Sequence, residues 1–344
     1  MMLINELNTK IPKKSEEEFL KINFDSLFSY NFKEVKTYEL DIMGLKTIKD
    51  ENSYESVLFN ITKSLDDNQK VLTINKNIAE PIFLIHKIKE DETFFTNSLK
   101  IEVKENIKAQ VVEVFVSESS NSCYGVNRNI VLEENASLEY VKIQDINASS
   151  SMIFSNCATQ TKNSKLKISN FEFGEGFIIN SFENIINEEF VDYELNGLIK
   201  LFNEANNATL VKTIHNEKNS ISSINYKNSL KNSSKAVVKI KSIVNENALF
   251  SKAFQNCNTI LLSDDATIFA QPHLEIYIDE LEASHGTTTG TLNKEQLLYL
   301  QSRGISKDKA YDMLLEAFES SIKNNIEDEI IKEFIQNYKK EQYV

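Results

Sequence analysis

One phrase recurs in the middle of this chain and limits what the chain can fold into. LEENASLEYVKI (132–143), NEANNATLVKTI (203–214), VNENALFSKAF (244–254) and LSDDATIFAQPHLEI (262–276) share one grammar. A polar turn with Asn or Asp comes first, then Ala, then a small or polar residue leading into a strand-forming run. Asn and Asp close turns with their own side chains. A small residue after such a turn is what stacked coils require, because every coil rounds its corner against a neighbour at the same place. The spacing of the phrases is loose and fixes no period.

From about 71 to 279 the chain is a series of short runs rich in Ile, Val, Phe and Thr: 71–74, 81–85, 99–103, 110–116, 136–143, 165–171, 194–202, 208–214, 236–243 and 258–262. Runs of this length broken by Asn, Ser, Asp and Glu predict an all-β unit, which can be a sandwich, a barrel or a solenoid. The repeated corner favours the solenoid. The expected fold is mainly β: a right-handed parallel β-helix (71–285) between an N-terminal helical region (1–70) and a C-terminal helical domain (286–344). The helical ends would cap the open ends of the stack.

The N-terminal region carries two helical patterns. Ser15 with Glu18 reads as a capping box, with Phe19, Ile22, Leu27 and Phe28 as the apolar face behind it. Val57, Leu58, Ile61 and Leu65 fall at helical spacing within 54–65.

At the other end, residues 271–304 hold three of the eight glycines (Gly286, Gly290, Gly304) and one of the three prolines, Pro272. Leu274, Ile276 and Ile278 alternate with polar residues, a half-buried strand. A turn is expected at His285 and Gly286, where the strand pattern gives way to a helical one. Asn293 and Gln296 form a capping pattern, and Gly304 supplies a left-handed stop after a helix bearing Leu297, Leu298 and Leu300. A second helix from Ser306 places Ala310, Met313, Leu314, Ala317, Phe318 and Ile322 on one face, and Asn324 and Asn325 end it. A third carries Ile326, Ile330, Ile331, Phe334, Ile335 and Tyr338.

Composition excludes several classes of function. A net charge of −13, with 38 basic residues interspersed among 51 acidic ones, argues against nucleic-acid binding through a general basic surface. No apolar run approaches the length of a membrane span, and the N-terminal stretch lacks the apolar core of a signal peptide, so a cytoplasmic protein is expected. Cys123, Cys157 and Cys257 are far apart and odd in number, which excludes a disulfide framework or a close metal-binding pair. Isolated cysteines of this kind behave as small buried hydrophobes.

Four phrases in the 271–304 stretch resemble the SufB/SufD family of iron–sulfur cluster assembly proteins. They are Pro272 with Leu274, Glu275, Ile276 and Tyr277; Ser284, His285 and Gly286; Thr288, Gly290 and Leu292; and Tyr299, Leu300 and Ser302 through Ile305. His215 with Ser222, Tyr226 and Lys227, then Leu261, Leu262, Ser263 and Ala266, are similar to the family's last β-helical coils. Glu80, Pro81 and Ile82 are similar to the entry to the domain. Ile11 and Pro12 with Glu16 and Glu17 are similar to the family's N-terminal signature, though Phe19 stands where Trp is usual. The Ser-His-Gly phrase is similar to the SufD branch, since SufB sequences usually read His-Glu-Ala there.

The resemblance implies a non-catalytic scaffold subunit that pairs with a SufB-like subunit and docks a SufC-like ATPase, with a homodimer in isolation. It implies no cofactor bound by this chain alone, but a transient iron–sulfur cluster shared with the partner, and neither a nucleic-acid nor a membrane partner. His285 is the residue it points to as an iron or cluster ligand at the interface. The residue-level alternative is a histidine ordering the Gly286 turn by hydrogen bonds. Cys257 and His215 are weaker candidates, and His86 and His273 read as core or surface residues. Ala283 stands where many SufD sequences carry Cys, which leaves the thiolate to the partner. ATPase docking would fall on Tyr299, Leu300, Arg303, Gly304, Ile305 and Met313. No Walker motif is present, so ATP would be hydrolysed by the partner. Two other readings remain open: a β-helical polysaccharide-active enzyme, disfavoured by the lack of clustered Asp or Arg on the strand faces, and an inert β-solenoid.

Overall fold

The computed structural model describes residues 9–40 and 45–342, without the side chains of 25, 26 and 337–342. A 3-10 turn (Glu17–Phe19) and one helical turn, α1 (Asp25–Phe28), precede β1 (Glu34–Thr37), β2 (Lys46–Lys49) and helix α2 (Val57–Leu65). The solenoid strands follow as β3 (Asn68–Ile74), β4 (Ile82–Ile88), β5 (Thr93–Val103), β6 (Lys108–Ser117), β7 (Cys123–Leu132) and β8 (Ser137–Ile146). Then come β9 (Ser151–Gln160), β10 (Lys165–Gly174), β11 (Phe177–Ile186), β12 (Asp192–Leu201), β13 (Asn206–His215) and β14 (Ile221–Leu230). The last are β15 (Lys235–Val244), β16 (Lys252–Leu261), β17 (Thr267–Ile276) and β18 (Glu282–Gly290), before helices α3 (Lys294–Ser302), α4 (Lys307–Lys323) and α5 (Glu329–Gln342).

Odd-numbered strands from β3 to β17 form one parallel sheet and even-numbered strands from β4 to β18 a second, so each coil contributes one strand to each. Register repeats closely. Lys108 lies beside Ser137, an offset of 29 residues, and Lys235 beside Thr267, an offset of 32. This is the expected β-helix.

The corner phrase acts as the sequence suggested. Asn106, Asn135, Asn163, Asn203 and Asn232 all have φ between +55° and +61°, a region that Asn tolerates better than most residues with a Cβ. One or two residues later Ala136, Ser164, Ala205 and Ser234 are buried. Their N–H groups close the turn, as from Ala136 to the Glu133 carbonyl at 3.0 Å and from Ala205 to the Phe202 carbonyl at 3.2 Å. A larger side chain there would meet the next coil.

The helical ends are placed differently from the expectation. They cover faces of the stack rather than its ends. Phe19, Ile22, Phe24, Leu27 and Phe28 pack with α2 residues on the outer face of the odd-numbered sheet, against Ile153, Ile179 and Leu210. Ile322, Ile326, Ile331 and Ile335 pack on the outer face of the even-numbered sheet, against Val112, Ile143, Phe171 and Leu198. Both outer faces carry apolar side chains, and burying them outweighs capping an edge.

Local expectations divide. Ser56 caps α2 by accepting from Phe59 N–H, Asn293 caps α3 by accepting from the N–H groups of Glu295 and Gln296, and Ser306 caps α4. Gly304 has φ +85°, the left-handed stop. The Ser15 capping box does not form: the 3-10 turn begins after Glu16 without a side-chain cap. The buried face of α4 is Ala310, Leu315, Glu319 and Ile322, with Met313 and Ala317 outside it. Ile326 precedes α5 rather than lying on it, and the Tyr338 side chain lies outside the described residues. The turn expected at His285 and Gly286 is strand, because β18 runs unbroken to Gly290.

Candidate functional site: the open last coil

The last coil is built by two edge strands. Among the described residues no strand pairs with the outer side of β17 or of β18. Residues of β16 that face the interior are buried in alternation: Ala253, Gln255, Cys257 and Thr259. Register sets Ala283, His285, Thr287 and Thr289 directly beside them, one coil further out. By the same rule the buried Ala236, Val238 and Ile240 of β15 place Ile268, Ala270 and Pro272 on the inner side of β17. Both inner rows of the last coil are half-buried or exposed. The cross-section of the stack is therefore presented at this end, with an apolar wall from β17 and a His-Thr-Thr wall from β18.

Hydrogen-bond direction separates the two edges. Glu282 N–H donates to the Ser251 carbonyl at 3.0 Å. In a parallel pair alternate residues bond to the same neighbour, so Ala283, His285, Thr287 and Thr289 turn their N–H groups to the open side. In β17, Thr267 and Tyr277 donate to β15-side carbonyls of Ser234 and Val244 at 3.0 and 2.9 Å. That leaves Ile268, Ala270, Pro272 and Leu274 facing outward, and Pro272 has no N–H to offer. A proline at this place blunts an edge without breaking the strand's own ladder. The β17 edge is interrupted, and the β18 edge is continuous.

His285 is exposed, and among the described residues no hydrogen bond or ion pair holds its ring. It does not order a turn. Gly286 lies in the strand, and a Cβ added there would meet only Asn256 Oδ1, at 3.6 Å. Cys257 is on the neighbouring strand, offset by two residues and fully buried, and accepts a hydrogen bond from Asn228 Nδ2 at 3.3 Å. Burial pushes its thiol up to about 11, so it is protonated at neutral pH. Ala283 packs in a small apolar cluster with Val244, Ala248 and Ala253.

The other sequence candidates are not gathered here. His215 is fully buried two coils deeper, with Nε2 2.8 Å from Ser222 Oγ, and burial lowers its pKa to about 4, so it is neutral. His273 is half-buried on the outer face, 3.4 Å from Glu275. On the helices, Tyr299 and Met313 are exposed, Leu300 and Ile305 half-buried, and the Arg303 guanidinium lies 5.3 Å from the Tyr299 ring centre. No residue of α3 is buried.

Sequence reading missed a string of charged groups inside the stack. Glu113 accepts from both Arg128 Nε and Nη2, from Tyr140 OH and from His86 Nε2 (2.6 Å), all buried. The Arg128 and His86 side chains hold its carboxyl well below the usual carboxylate range against the cost of burial. One coil on, Lys142 Nζ meets Glu172 at 2.5 Å, Asn180 at 2.9 Å and Asn170 at 3.2 Å. The available signal lay in residues 123–132, where Tyr124, Val126, Ile130 and Leu132 form an apolar row at period two and Arg128 occupies the middle position of that same row.

Comparison with known proteins decides the family. The family model described as "SUF system FeS cluster assembly, SufBD core domain" matches residues 85–318. The chain belongs to the SufBD family. The SufD protein of Escherichia coli (strain K12) is 24% identical over 80% of this chain and 67% of its own length. The SufD protein of Plasmodium berghei is 26% identical over 84% of this chain, which spans 21% of that protein. A SufBD family protein of Synechocystis sp. is 24% identical over 77% of this chain and 61% of its own. The SufBD core match starts inside β4 and ends inside α4, so it includes the whole last coil and its junction to the helices. Within the family the chain is SufD-like, and its relatives are named as iron–sulfur cluster assembly proteins. No helix among the described residues is long and apolar enough to cross a membrane.

Proposed function

We propose that this SufD-like chain is a non-catalytic scaffold subunit that pairs with a SufB-like β-helical subunit through the last coil and docks a SufC-like ATPase through α3 and the start of α4. The observation that carries the pairing is the continuous open edge of β18, which offers N–H groups from Ala283, His285, Thr287 and Thr289 beside the exposed Ile276 and Tyr277. An open edge of this kind is a template for strand addition, and a second β-helix ending in its own open coil is a matching partner. The exposed Leu298, Tyr299 and Met313 support the docking role of the helices.

Iron or a nascent cluster is substrate in this reading. His285 would face it across the seam, since a neutral imidazole ligates iron, with thiolate supplied by the partner in place of Ala283. Cys257, protonated and beneath Thr287, would reach it only if the last coil were displaced. ATP hydrolysis in the docked partner would open and close the seam. The test is co-expression with SufB-like and SufC-like proteins followed by size exclusion. A complex containing all three is expected, and a monodisperse chain that ignores both overturns the reading. Self-assembly of the chain without partners would instead favour an inert stacking solenoid.

A further inference from the structure

Three successive strands of the odd-numbered sheet run into their corners with the same phrase, Ile185 with Asn187 and Glu188, Ile214 with Asn216 and Glu217, and Ile243 with Asn245 and Glu246, 29 residues apart each time. The asparagines have a structural task. Asn216 Nδ2 donates to Asn187 Oδ1 at 2.7 Å and Asn245 Nδ2 to Asn216 Oδ1 at 2.5 Å, which ties coil to coil. The corner itself requires neither the isoleucine nor the glutamate, since the two preceding coils carry Val131 with Glu134 and Thr159 with Lys162 at those places.

Register sets Val131, Thr159, Ile185, Ile214 and Ile243 in one row on the outer face. Glu102 lies beside Val131 at one end and Glu275 beside Ile243 at the other, so the row has a definite length. Elsewhere on this face Ile153, Ile179 and Leu210 are buried beneath the N-terminal segment. The aliphatic residues of the row are only half-buried, and Thr159 is exposed. Along one side stand Asn52, Tyr54 and Glu55, and a cavity of about 510 Å³ lies between them and Val131, Thr159 and Ile185. The other side is bordered by the corners. There Glu134, Glu188, Glu217 and Glu246 have no ion-pair partner among the described residues, while the lysines of the same corners are already placed, Lys218 on Glu189 at 3.4 Å and Lys162 Nζ 5.9 Å from the Phe190 ring centre.

Aliphatic surface with a polar border marks a contact site, and here dimensions and charge select the occupant. Five strands about 4.8 Å apart give a row of roughly 19 Å, the length of about 13 residues of α-helix. One helical turn, about 5.4 Å, advances close to one strand spacing. The fold already seats a helix in this way. Helix α2 runs across the strands of this same sheet, from its cap Ser56, 3.4 Å from Ser181 of β11, through Phe59, whose carbonyl accepts from Asn127 of β7 at 2.9 Å, to contacts with β5. Such a groove takes the apolar stripe of an amphipathic helix, and unpaired carboxylates along one border favour cations on that flank. We propose that the row docks an amphipathic α-helix of a partner protein, its aliphatic side chains on the isoleucines and Lys or Arg along the corner side.

The probe is a capped, fluorescently labelled peptide of about 14 residues, with Leu on one face and Lys along one flank, titrated with the full chain and read by anisotropy at near-physiological salt. One control has the same composition with Leu scattered around the helix, and a second has Glu in place of Lys. Saturable binding of the ordered Lys peptide is expected, at least tenfold weaker for both controls. Ile214→Ser and the triple variant Glu188→Gln, Glu217→Gln, Glu246→Gln should each weaken it tenfold or more with circular dichroism unchanged. Equal binding of the scattered peptide overturns the proposal in favour of general attraction to an acidic chain, and equal binding of the Glu peptide removes the charge selection and overturns it too. Unchanged affinity of the triple variant places the peptide elsewhere and has the same result. So does the absence of saturable binding at about 100 μM, and so does self-association of the chain that Ile214→Ser abolishes, which would give the row to a second copy. The peptide comparison needs no variant, so it decides the matter even if Ile214→Ser unfolds the chain.

Discussion

Gln255 and His285 are register partners on the last two strands of the even-numbered sheet, so an exposed imidazole stands beside an amide that is only 3% exposed. Gln255 Nε2 is fixed by Ser242 Oγ at 2.8 Å and the His273 carbonyl at 3.0 Å. The inner wall beneath His285 is thus rigid, while His285 itself is held only by its strand. One step along the same row, Cys257 lies beside Thr287. The solenoid passes from closed core to open surface within a single strand spacing.

His285→Ala removes an exposed side chain that makes no hydrogen bond among the described residues, so the change in stability is expected to stay within about 0.5 kcal/mol. In an anaerobically reconstituted complex with SufB-like and SufC-like partners, the same substitution should lower the visible absorption of the cluster. Unchanged absorption would remove His285 from the ligand set.

Gly197 shows how tightly the interior is built. A Cβ placed there would lie 2.0 Å from Tyr226 Cε1 and 2.3 Å from Cδ1, and Tyr226 is fully buried. The ring occupies the space above the glycine. Gly197→Ala should destabilise the chain by about 1–3 kcal/mol through overpacking, read as a lower urea midpoint. Removing the ring in a Gly197→Ala, Tyr226→Leu double variant should recover part of that loss relative to the sum of the two single changes.

His215 gives the stability a pH dependence. Its pKa is about 4 folded against 6.5 unfolded, so between these values the unfolded chain binds more protons than the folded one. Stability contributed by the neutral imidazole is therefore present above pH 6.5 and lost as pH falls toward 4, by about 3 kcal/mol in all. His86, also lowered by burial, acts with the same sign. Urea melts from pH 7 to pH 4 should show a steep fall in wild type and a shallower one in His215→Gln.

How much of this was legible follows from the physics of a stack. Strands such as β6 and β15 are rich in Val or Ile and stand out by composition. The corners were legible because the left-handed turn and the close approach of the next coil both restrict residue type. Strands β7, β9, β11 and β14 were not legible, because their inner faces hold Arg128, Asn156, Asn180 or Asn228. In parallel register such groups find partners on the next coil, as Lys142 finds Asn170 and Glu172, so a polar residue no longer marks an outward face. The placement of the helices was hidden for a related reason. Apolar residues on both faces of a strand say that something covers the outer face, but not which segment. At the site, His285 and the branch-specific phrase were readable, while the difference between the β17 and β18 edges depends on which N–H groups point outward.

Glu319 anchors the helical end. It is 1% exposed on α4 and takes Lys200 of β12 at 3.3 Å, Lys323 at 3.4 Å and the Ser229 hydroxyl of β14 at 3.3 Å. Beside it Lys227 Nζ donates to the Phe318 carbonyl at 2.7 Å. Glu319→Ala leaves two ammonium groups without their carboxylate, at an expected cost of about 1–3 kcal/mol, the lysines being partly solvated. Hydrogen exchange should quicken in α4 and α5 while β6 through β14 keep their protection. Uniform loss of protection would mean that the helices are integral to the core rather than pinned to its face.

Thr287→Pro tests the β18 edge directly. Thr287 turns its N–H to the open side, because the residues that bond to β16 are those in step with Glu282. Proline there removes one outward donor and leaves the β16 ladder intact, as Pro272 already does on β17. The residue before it, Gly286, is in extended strand, which a following proline favours. The isolated chain should therefore keep its melting temperature. Affinity for the SufB-like partner should fall at least tenfold, since a central donor of the shared ladder is lost and the ring lies in the seam. The control is Thr288→Pro, whose N–H points toward β16 and whose side chain bonds Asn258 at 2.6 Å: it should destabilise the chain itself. If Thr287→Pro binds the partner as tightly as wild type, the subunits do not join through β18.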